Sequence, residues 1–514
     1  MDRFIARHAA EIIGVLSGFD RLVFRGTLIP LVIRGGMYCF LTRVGVRLLD
    51  FKKYVLSVSQ RVKEAALSEA VRLGRPVRYL SSSRVDKEAF ARQLLEEHPV
   101  DEGLVCAFTV VEPGSSFEYH KSSDRSARGL RLRTRKCLHV YHYYLDRTFG
   151  WCGARIQTWF PFKVQVWLNG REWLATELVR RGVEFRRDRN CVFWAEDLPR
   201  AQRQLDHQLR RNWPHALRRF ARRLNPEHTR IFRPWPMDYY WSVYQSEWAT
   251  DVLFASPRAL ARLYPTLTSY ATTHFQSRDV MGFLGRKTGT RFLGDIVSSF
   301  KDRPEGVRVK HWVNGNSIKM YDKAGSVLRV ETTIGEPGEF KVLRPSADDP
   351  EGPWRWRPMR KGVADLHRRA VVSQQANDRY LDALAAVDET TPLREILDRV
   401  GKSVRYRGRR VRALRIGDPE DVSLLRVIAR GEFATSGFRN RDLRTRLYRP
   451  ADRDQTRRDS AKVSRRLRIL RAHGIIRKVQ KSHRYHLTRR GQLLTAALTG
   501  LRNASLEQVL ALAA

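Results

Sequence analysis

Long apolar runs are missing from this chain of 514 residues. No stretch approaches the ~18 uncharged apolar residues that a membrane-crossing helix requires. The most apolar part, residues 12–40, is broken by Asp20, Arg21, Arg25 and Arg34. Met1-Asp-Arg is not followed by an uninterrupted apolar region either, so no secretory leader and no membrane partner are expected. Cysteine is scarce: the five lie scattered at 39, 106, 137, 152 and 191, with no Cys-x-x-Cys. That spacing excludes a zinc ribbon, and an odd count of distant thiols excludes a disulfide framework and points to a reducing cytoplasm. No repeat recurs at a fixed period, which excludes solenoid and propeller arrays.

Acid is the other shortage. Asp plus Glu number 54 against 96 Lys plus Arg, a formal net charge of +42. A chain that tolerates so much self-repulsion is matched to a polyanion, and nucleic acid is the simplest one. Disorder is not the explanation, because 42% of residues are hydrophobic, including 12 Trp, 17 Tyr and 23 Phe. That is enough for packed cores, and the length suits two to four domains. The charge is uneven. Residues 401–514 carry 29 Lys plus Arg against 9 Asp plus Glu.

This basic tail has a legible order of elements. Residues 421–430 carry Val422, Leu425 and Ile428 at helical spacing, and Asn440 can cap a second short helix. Ser460 can cap a third, with Val463, Leu467 and Leu470 on one stripe and Gly474 as a left-handed end. At ~100° per residue, Arg465 and Arg468 point away from that stripe, with Lys462 and Arg458 near the N-terminal end. A hairpin-like run follows at 475–479 and 484–487, with Lys481 in its polar tip and Arg484 just past it, both as wing cations. The string Arg484-Tyr-His-Leu-Thr-Arg-Arg-Gly491 resembles the wing-to-helix junction of MarR-like winged-helix domains. That resemblance, over 418–502, implies duplex DNA as partner, a third helix that reads base edges, and a homodimer. Winged helices also serve as protein-interaction modules.

The rest reads as α+β and multidomain: mixed α/β at 1–130, a β-hairpin with basic helices at 131–232, then helices and a three-stranded meander at 233–345. A Pro/Gly-rich and basic connector at 346–417 precedes the winged helix, assigned to 418–514. Helices are expected at 61–73 and 87–97, a loop from 112 to 129, and a turn at Asn169-Gly170.

Two strand patterns look suited to a polyanion. Asn314-Gly315 and Ala324-Gly325 are tight-turn signals. If both turns have two residues, Lys310 pairs with Lys319, His311 with Ile318, Tyr321 with Leu328 and Ile318 with Glu331. One face then holds Arg308, Lys310, Trp312, Lys319, Tyr321 and Lys323. Lysine opposite lysine is unfavourable on a bare sheet but tolerable under a phosphate backbone, and the aromatics could stack on bases. Earlier, Arg155, Gln157 and Trp159 alternate with apolar residues, and Lys163, Gln165 and Trp167 do so past Pro161. Both patterns also suit a solvated basic face, but together they favour contact with single-stranded DNA or RNA.

Catalysis is less legible. The string from Ser317 through Tyr321-Asp-Lys, followed by Leu328-Arg-Val-Glu331, is similar to a hairpin motif of rolling-circle replication initiators. The resemblance implies DNA strand nicking by Tyr321, with Asp322 and Glu331 holding Mg²⁺ or Mn²⁺. The two-residue register opposes it: Tyr321 falls on the face opposite Glu331, and Asp322 lies ~13 Å from Glu331 along the hairpin. A salt bridge from Asp322 to Arg329 is the plain alternative. His139 and His142 are three apart, so on a strand they face opposite ways and make no metal pair. Glu247 and Asp251, four apart, would share one side of a helix.

The reading is a cytoplasmic, nucleoid-associated nucleic-acid-binding protein, a mobile-element or plasmid initiator or recombinase-like protein. A non-enzymatic winged-helix transcription regulator and an RNA-binding protein are the alternatives. The sequence leaves open whether it is an enzyme, and which metal it would use.

Overall fold

A computed structural model describes the chain except 121–128, 274, 276, 287–295, 302–307, 386–392, 416–417, 430–432, 434–436, 449–451, 480–481, 489, 492–493, 496–497 and 499–514. The fold is mixed α/β, with one large mixed sheet and several small ones. Contacts group the residues into two compact units, each discontinuous in sequence. One comprises Leu16–Ala249 with Thr333–Val371; the other comprises Met1–Val15, Thr250–Thr332 and Val372–Ala514. This grouping differs from the five consecutive segments expected. The reason is strand pairing between residues far apart in sequence, which local pattern does not reveal.

In the Leu16–Ala249 unit the principal strands are β1 (Ile12–Thr27), β2 (Val77–Leu80), β3 (Gly103–His120), β4 (Gly129–Asp146), β5 (Gly150–Gln157) and β6 (Val164–Asn169). A small hairpin adds β7 (Phe185–Asp188) and β8 (Cys191–Ala195), and β9 (Tyr240–Phe254) completes the set. Their order in the large sheet is β9-β1-β6-β5-β4-β3-β2, with β2 parallel to β3. One sheet face is apolar, supplied by Phe24, Val140, Ala154, Ile156, Val164 and Val166. Against it packs the helix Phe51–Arg72, whose Val55, Val58, Val62, Ala66 and Ala70 form a buried stripe at spacings of three and four. Each valine so buried contributes roughly 1.5–3 kcal/mol of transfer free energy.

Local signals explain several boundaries here. The helix Lys87–Glu97 starts where Asp86 accepts from the amides of Glu88 and Ala89 at 3.1 and 3.0 Å. Asn169 does not make a hairpin turn. Its side chain accepts from Arg171 and Glu172 at 2.8 and 3.1 Å and caps the helix Gly170–Arg180. The loop expected from Glu112 is strand instead, because residues through His120 pair with β4 in continuous register.

The other unit contains β10 (Ile296–Lys301), β11 (Arg308–Val313), β12 (Asn316–Lys323) and β13 (Val327–Ile334), ordered β10-β11-β12-β13-β9. Asn314, at φ +53°, closes the first turn, and Lys310 pairs with Lys319 and His311 with Ile318, as a two-residue turn demands. The second turn differs. It takes three residues, Ala324–Ser326, with Ala324 and Gly325 at φ +56° and +74°. A slip of one residue turns every side chain of a strand to the other face, so the expected pairing of β13 is overturned.

Residues Val400 to Leu494 in this unit share a hydrophobic core of their own. It is built from the helices Pro419–Ile428, Asn440–Leu447 and Arg453–Ala472 and a three-stranded sheet. That sheet runs in the order Phe438–Arg439, Arg484–Leu487, Ile476–Lys478. The third helix begins seven residues before the expected Ser460, capped by Asp452, which accepts from Gln455 at 2.8 Å. Nor is Asn440 a cap: its amide reaches Ser460 O and Ser464 Oγ, both at 2.9 Å, tying two helices together. Gly474 does end the helix at φ +67°.

Candidate nucleic-acid interface

The helix Arg453–Ala472 has two sharply different sides. Asp459, Val463, Leu467 and Leu470 are buried, whereas Arg458, Lys462, Arg465 and Arg468 are exposed. Spacings of three and four set the four cations within one stripe opposite the core. Arg444, Arg453 and Arg457 line a cleft beside the start of this helix. Arg466, by contrast, turns to an ion pair with Glu420. Arg484, expected as a solvent-facing wing cation, is half-buried with its guanidinium 3.4 Å from Gly437 O, so it braces the small sheet. Lys481 lies outside the described residues.

On the β10–β13 sheet, Arg308, Lys310, Trp312, Lys319, Tyr321 and Lys323 occupy one half-exposed face, while Val309, His311, Val313, Ile318 and Met320 are buried on the other. The Lys310 ammonium sits 4.6 Å from the Trp312 ring centroid and that of Lys319 5.3 Å from Tyr321. The three-residue turn brings Glu331 onto this same face. Its carboxylate, fully buried, receives the Tyr321 hydroxyl at 3.0 Å and lies 2.7 Å from Lys319 Nζ. The expected separation of Tyr321 from Glu331 is therefore wrong.

Two further expectations fail. Arg329 does not pair with Asp322. Both are placed by the new register, and Arg329 is fully buried with two bonds to Asp251, at 2.5 and 2.9 Å. Asp251 and Glu247 lie on the strand β9, not on a helix, because β-branched and aromatic residues dominate that segment. Asp322 is half-buried beside Tyr264.

In the Leu16–Ala249 unit, Arg155, Trp159, Lys163 and Trp167 are all half-buried, and β5 and β6 prove to be direct neighbours. Arg155 pairs with Gln165, and Arg155 Nε donates to Gln165 Oε1 at 3.1 Å. Trp167 lies across Gly153, where a Cβ would come within 2.4 Å of the indole, so only glycine fits. Sequence reading missed the centre of this face. Glu112 receives the Tyr141 hydroxyl at 2.6 Å and Arg155 Nη1 at 2.7 Å, with Lys87 Nζ at 3.0 Å. Burial pushes the Glu112 carboxyl up, but the Tyr141 and Lys87 hydrogen bonds and the Arg155 charge outweigh it and hold it below its ordinary range. Nothing local announces this cluster, whose members come from four separate elements.

Also missed was the approach of Asp20 to Glu247 on neighbouring strands, with carboxylate oxygens within 4.8 Å. Asn190 holds Asp20 at 2.9 and 3.1 Å, and Gln245 donates to Glu247 at 3.1 Å. Two such oxygens suit a hard divalent cation. The histidines do not compete for it. His139 contacts Cys137 O, His142 contacts Tyr144 OH, and burial pulls both down to about 4. His311 contacts Ser298 and is pulled to about 3 by burial. All three are neutral core residues.

Among the described residues, no helix is long and apolar enough to cross a membrane. No protein-family model, curated protein or solved structure matches the chain.

Proposed function

We propose that this chain binds nucleic acid, and that residues 418–502 form a winged helix that docks on duplex DNA. The observation that carries the reading is the helix Arg453–Ala472, with four exposed cations along the side opposite its buried stripe. A helix of this kind fits the major groove, its cations reaching base edges and phosphates. The order of three helices and three short strands matches that architecture. A mobile-element or plasmid initiator or recombinase is the role that suits a duplex reader joined to so large a basic body.

The test is duplex binding by the whole chain across a salt series. Four phosphate contacts would give a slope of log K against log salt of about −3.6. Changing Arg465 and Arg468 to Glu is expected to remove most of the affinity. A folded protein with no salt-sensitive duplex affinity would sink the reading.

The hydrogen bond between Tyr321 and Glu331 favours a second activity, strand nicking. Glu331 would take the phenol proton as Tyr321 Oη attacks phosphorus, forming a phosphotyrosine bond. One backbone P–O bond breaks, and the leaving oxygen becomes a hydroxyl with the proton that Glu331 gives up again. Lys319 would balance charge on the carboxylate and the transferred phosphate. Asp322 has no part in this arrangement. With Mg²⁺ or Mn²⁺ supplied, a covalent protein–DNA adduct is expected from the unaltered protein and none from Tyr321→Phe. An unaltered protein that forms no adduct with either metal reduces the function to binding.

A further inference from the structure

We propose that a cleft between the helices Gly170–Arg180 and Leu198–His207 binds a phosphoryl group through Arg210 and Arg211. The ligand is a phosphate, free or at the end of a longer molecule. The proposal does not rest on the winged-helix reading, because the cleft lies wholly within the Leu16–Ala249 unit.

Two helices and one turn build the cleft, which holds about 230 Å³. Clefts for drug-sized ligands run to ~300–1,000 Å³, so this one suits a small anion or the tip of a larger molecule. The first helix and its end contribute Trp173, Glu177, Arg180 and Arg181. Arg210 and Arg211 come from the turn after the second helix. That turn is pinned from both sides. Gln208 Nε2 donates to Gly170 O at 2.8 Å, Trp213 Nε1 to Gln208 O at 3.0 Å, and the Trp213 amide to Arg211 O at 2.9 Å. The Arg211 guanidinium lies against two rings, 4.7 Å from the Phe149 centroid and 5.4 Å from that of Trp173. Its place is set before any ligand arrives, which lowers the entropic cost of binding.

Four arginines share the cleft with one carboxylate, and that carboxylate is already committed. Glu177 is buried, with Arg180 Nη2 at 2.5 Å and Arg181 Nε at 3.4 Å. Arg180 and Arg181 also stand at the C-terminal end of their helix, where a cation is favoured without any ligand. Arg210 and Arg211 have no such account. Neither makes an ion pair among the described residues. Asp146, the other acid that acts on Arg211, is 2.5 Å from Arg219 and accepts from the amides of Thr148 and Phe149. Burial and the Arg219 charge pull the Arg211 guanidinium down from its ordinary range, and an anion seated beside it would reverse that.

Two buried donors in the cleft wall favour the same class of ligand. Trp173 is 6% exposed and its Nε1–H has no acceptor, nor has the Nε–H of half-buried Arg211. A buried donor without an acceptor is costly. Neither group gives up a bond by turning toward a ligand, whereas Arg180 and Arg181 would have to leave Glu177. Unmet donors beside two cations without a counter-ion select an anion with several oxygens. A carboxylate would answer only one of the two charges. A phosphoryl group carries up to two, and its oxygens match the planar fork of a guanidinium.

The experiment titrates the full chain with inorganic phosphate, following heat by calorimetry and the indole N–H resonances by NMR. Arg210→Gln and Arg211→Gln are each expected to weaken phosphate binding about 10-fold or more, since each removes a charge-assisted contact. Arg203→Gln removes an equal charge from an exposed site on the second helix, outside the cleft, and should leave binding unchanged. One indole resonance should move with phosphate and be missing from Trp173→Phe. Arg211→Gln also gives up packing on two rings, so Arg210→Gln, at an exposed side chain, carries the test if the former melts early. Competition then separates the sources. Oligothymidine with a 5′-phosphate displacing phosphate better than its 5′-hydroxyl counterpart assigns the site to strand ends. Equal displacement by both, with thymidine monophosphate as strong as phosphate, assigns it to free phosphates. Arg465→Glu/Arg468→Glu should bind phosphate as the unaltered chain does, so failure of duplex binding there leaves this site standing. Equal phosphate affinity in the Arg210, Arg211 and Arg203 variants overturns the proposal, and so does a Trp173 resonance that phosphate does not move.

Discussion

Arg329 and Asp251 form an ion pair with 0% and 1% side-chain exposure. Removing two charges from water is expensive, and their bidentate geometry offsets that cost only while both are present. Asp251→Asn is thus expected to destabilise by about 3–5 kcal/mol, because a guanidinium stays buried without its counter-charge. Replacing both by well-packed apolar residues should recover most of the loss. Urea denaturation of the two variants checks this; equal losses in both would mean that shape, not charge, sets the cost. The partner of Arg329 was not legible in the sequence. Asp322 is seven residues away and Asp251 seventy-eight, and only tertiary pairing of strands decides between them. The same holds for Glu112, whose donors Lys87, Tyr141 and Arg155 belong to separate elements.

At the scale of elements, much was legible wherever local chemistry is self-sufficient. The helix Lys87–Glu97 has its expected bounds because an Asp cap and an amphipathic period coincide. The β11–β12 register follows from Asn314-Gly315. Where a signal has two uses, tertiary context decides between them. Asn169-Gly170 reads as a turn or as a cap, and the helix that follows selects the cap. Ala324-Gly325 closes a turn of two residues or of three, and the third residue, Ser326, carries large consequences. With two, Tyr321 and Glu331 would never meet; with three, they are hydrogen-bonded. Asn440 and Ser460 are cap-forming residue types whose side chains found each other instead, Ser460 Oγ donating to Asn440 Oδ1 at 3.1 Å.

For the whole molecule, three neutral histidines set a common acid limit. His139, His142 and His311 are buried, with affinities for a proton lowered from 6.5 to about 4, 4 and 3. Between those values and 6.5 the unfolded chain binds more protons than the folded one, so stability falls as pH falls through that window. Each histidine costs roughly 1.4 kcal/mol per pH unit there. Melting temperature should drop steeply between about pH 6 and 4, and replacing His142 or His311 by an apolar residue of similar size should flatten that drop. An unchanged acid limb would assign it to carboxylates. The pairing of segments far apart in sequence has a different consequence, one of timing during synthesis. Arg3 N donates to Asp382 Oδ1 at 3.2 Å, and Arg7 reaches the carbonyl of Ala385 at 2.5 Å. At roughly 5–20 residues per second a ribosome needs on the order of 20–75 s between making the two ends of such a contact. The start of the chain must therefore wait, its partners unmade, while the intervening unit emerges and folds, and that nascent interval is when a chaperone has most to protect.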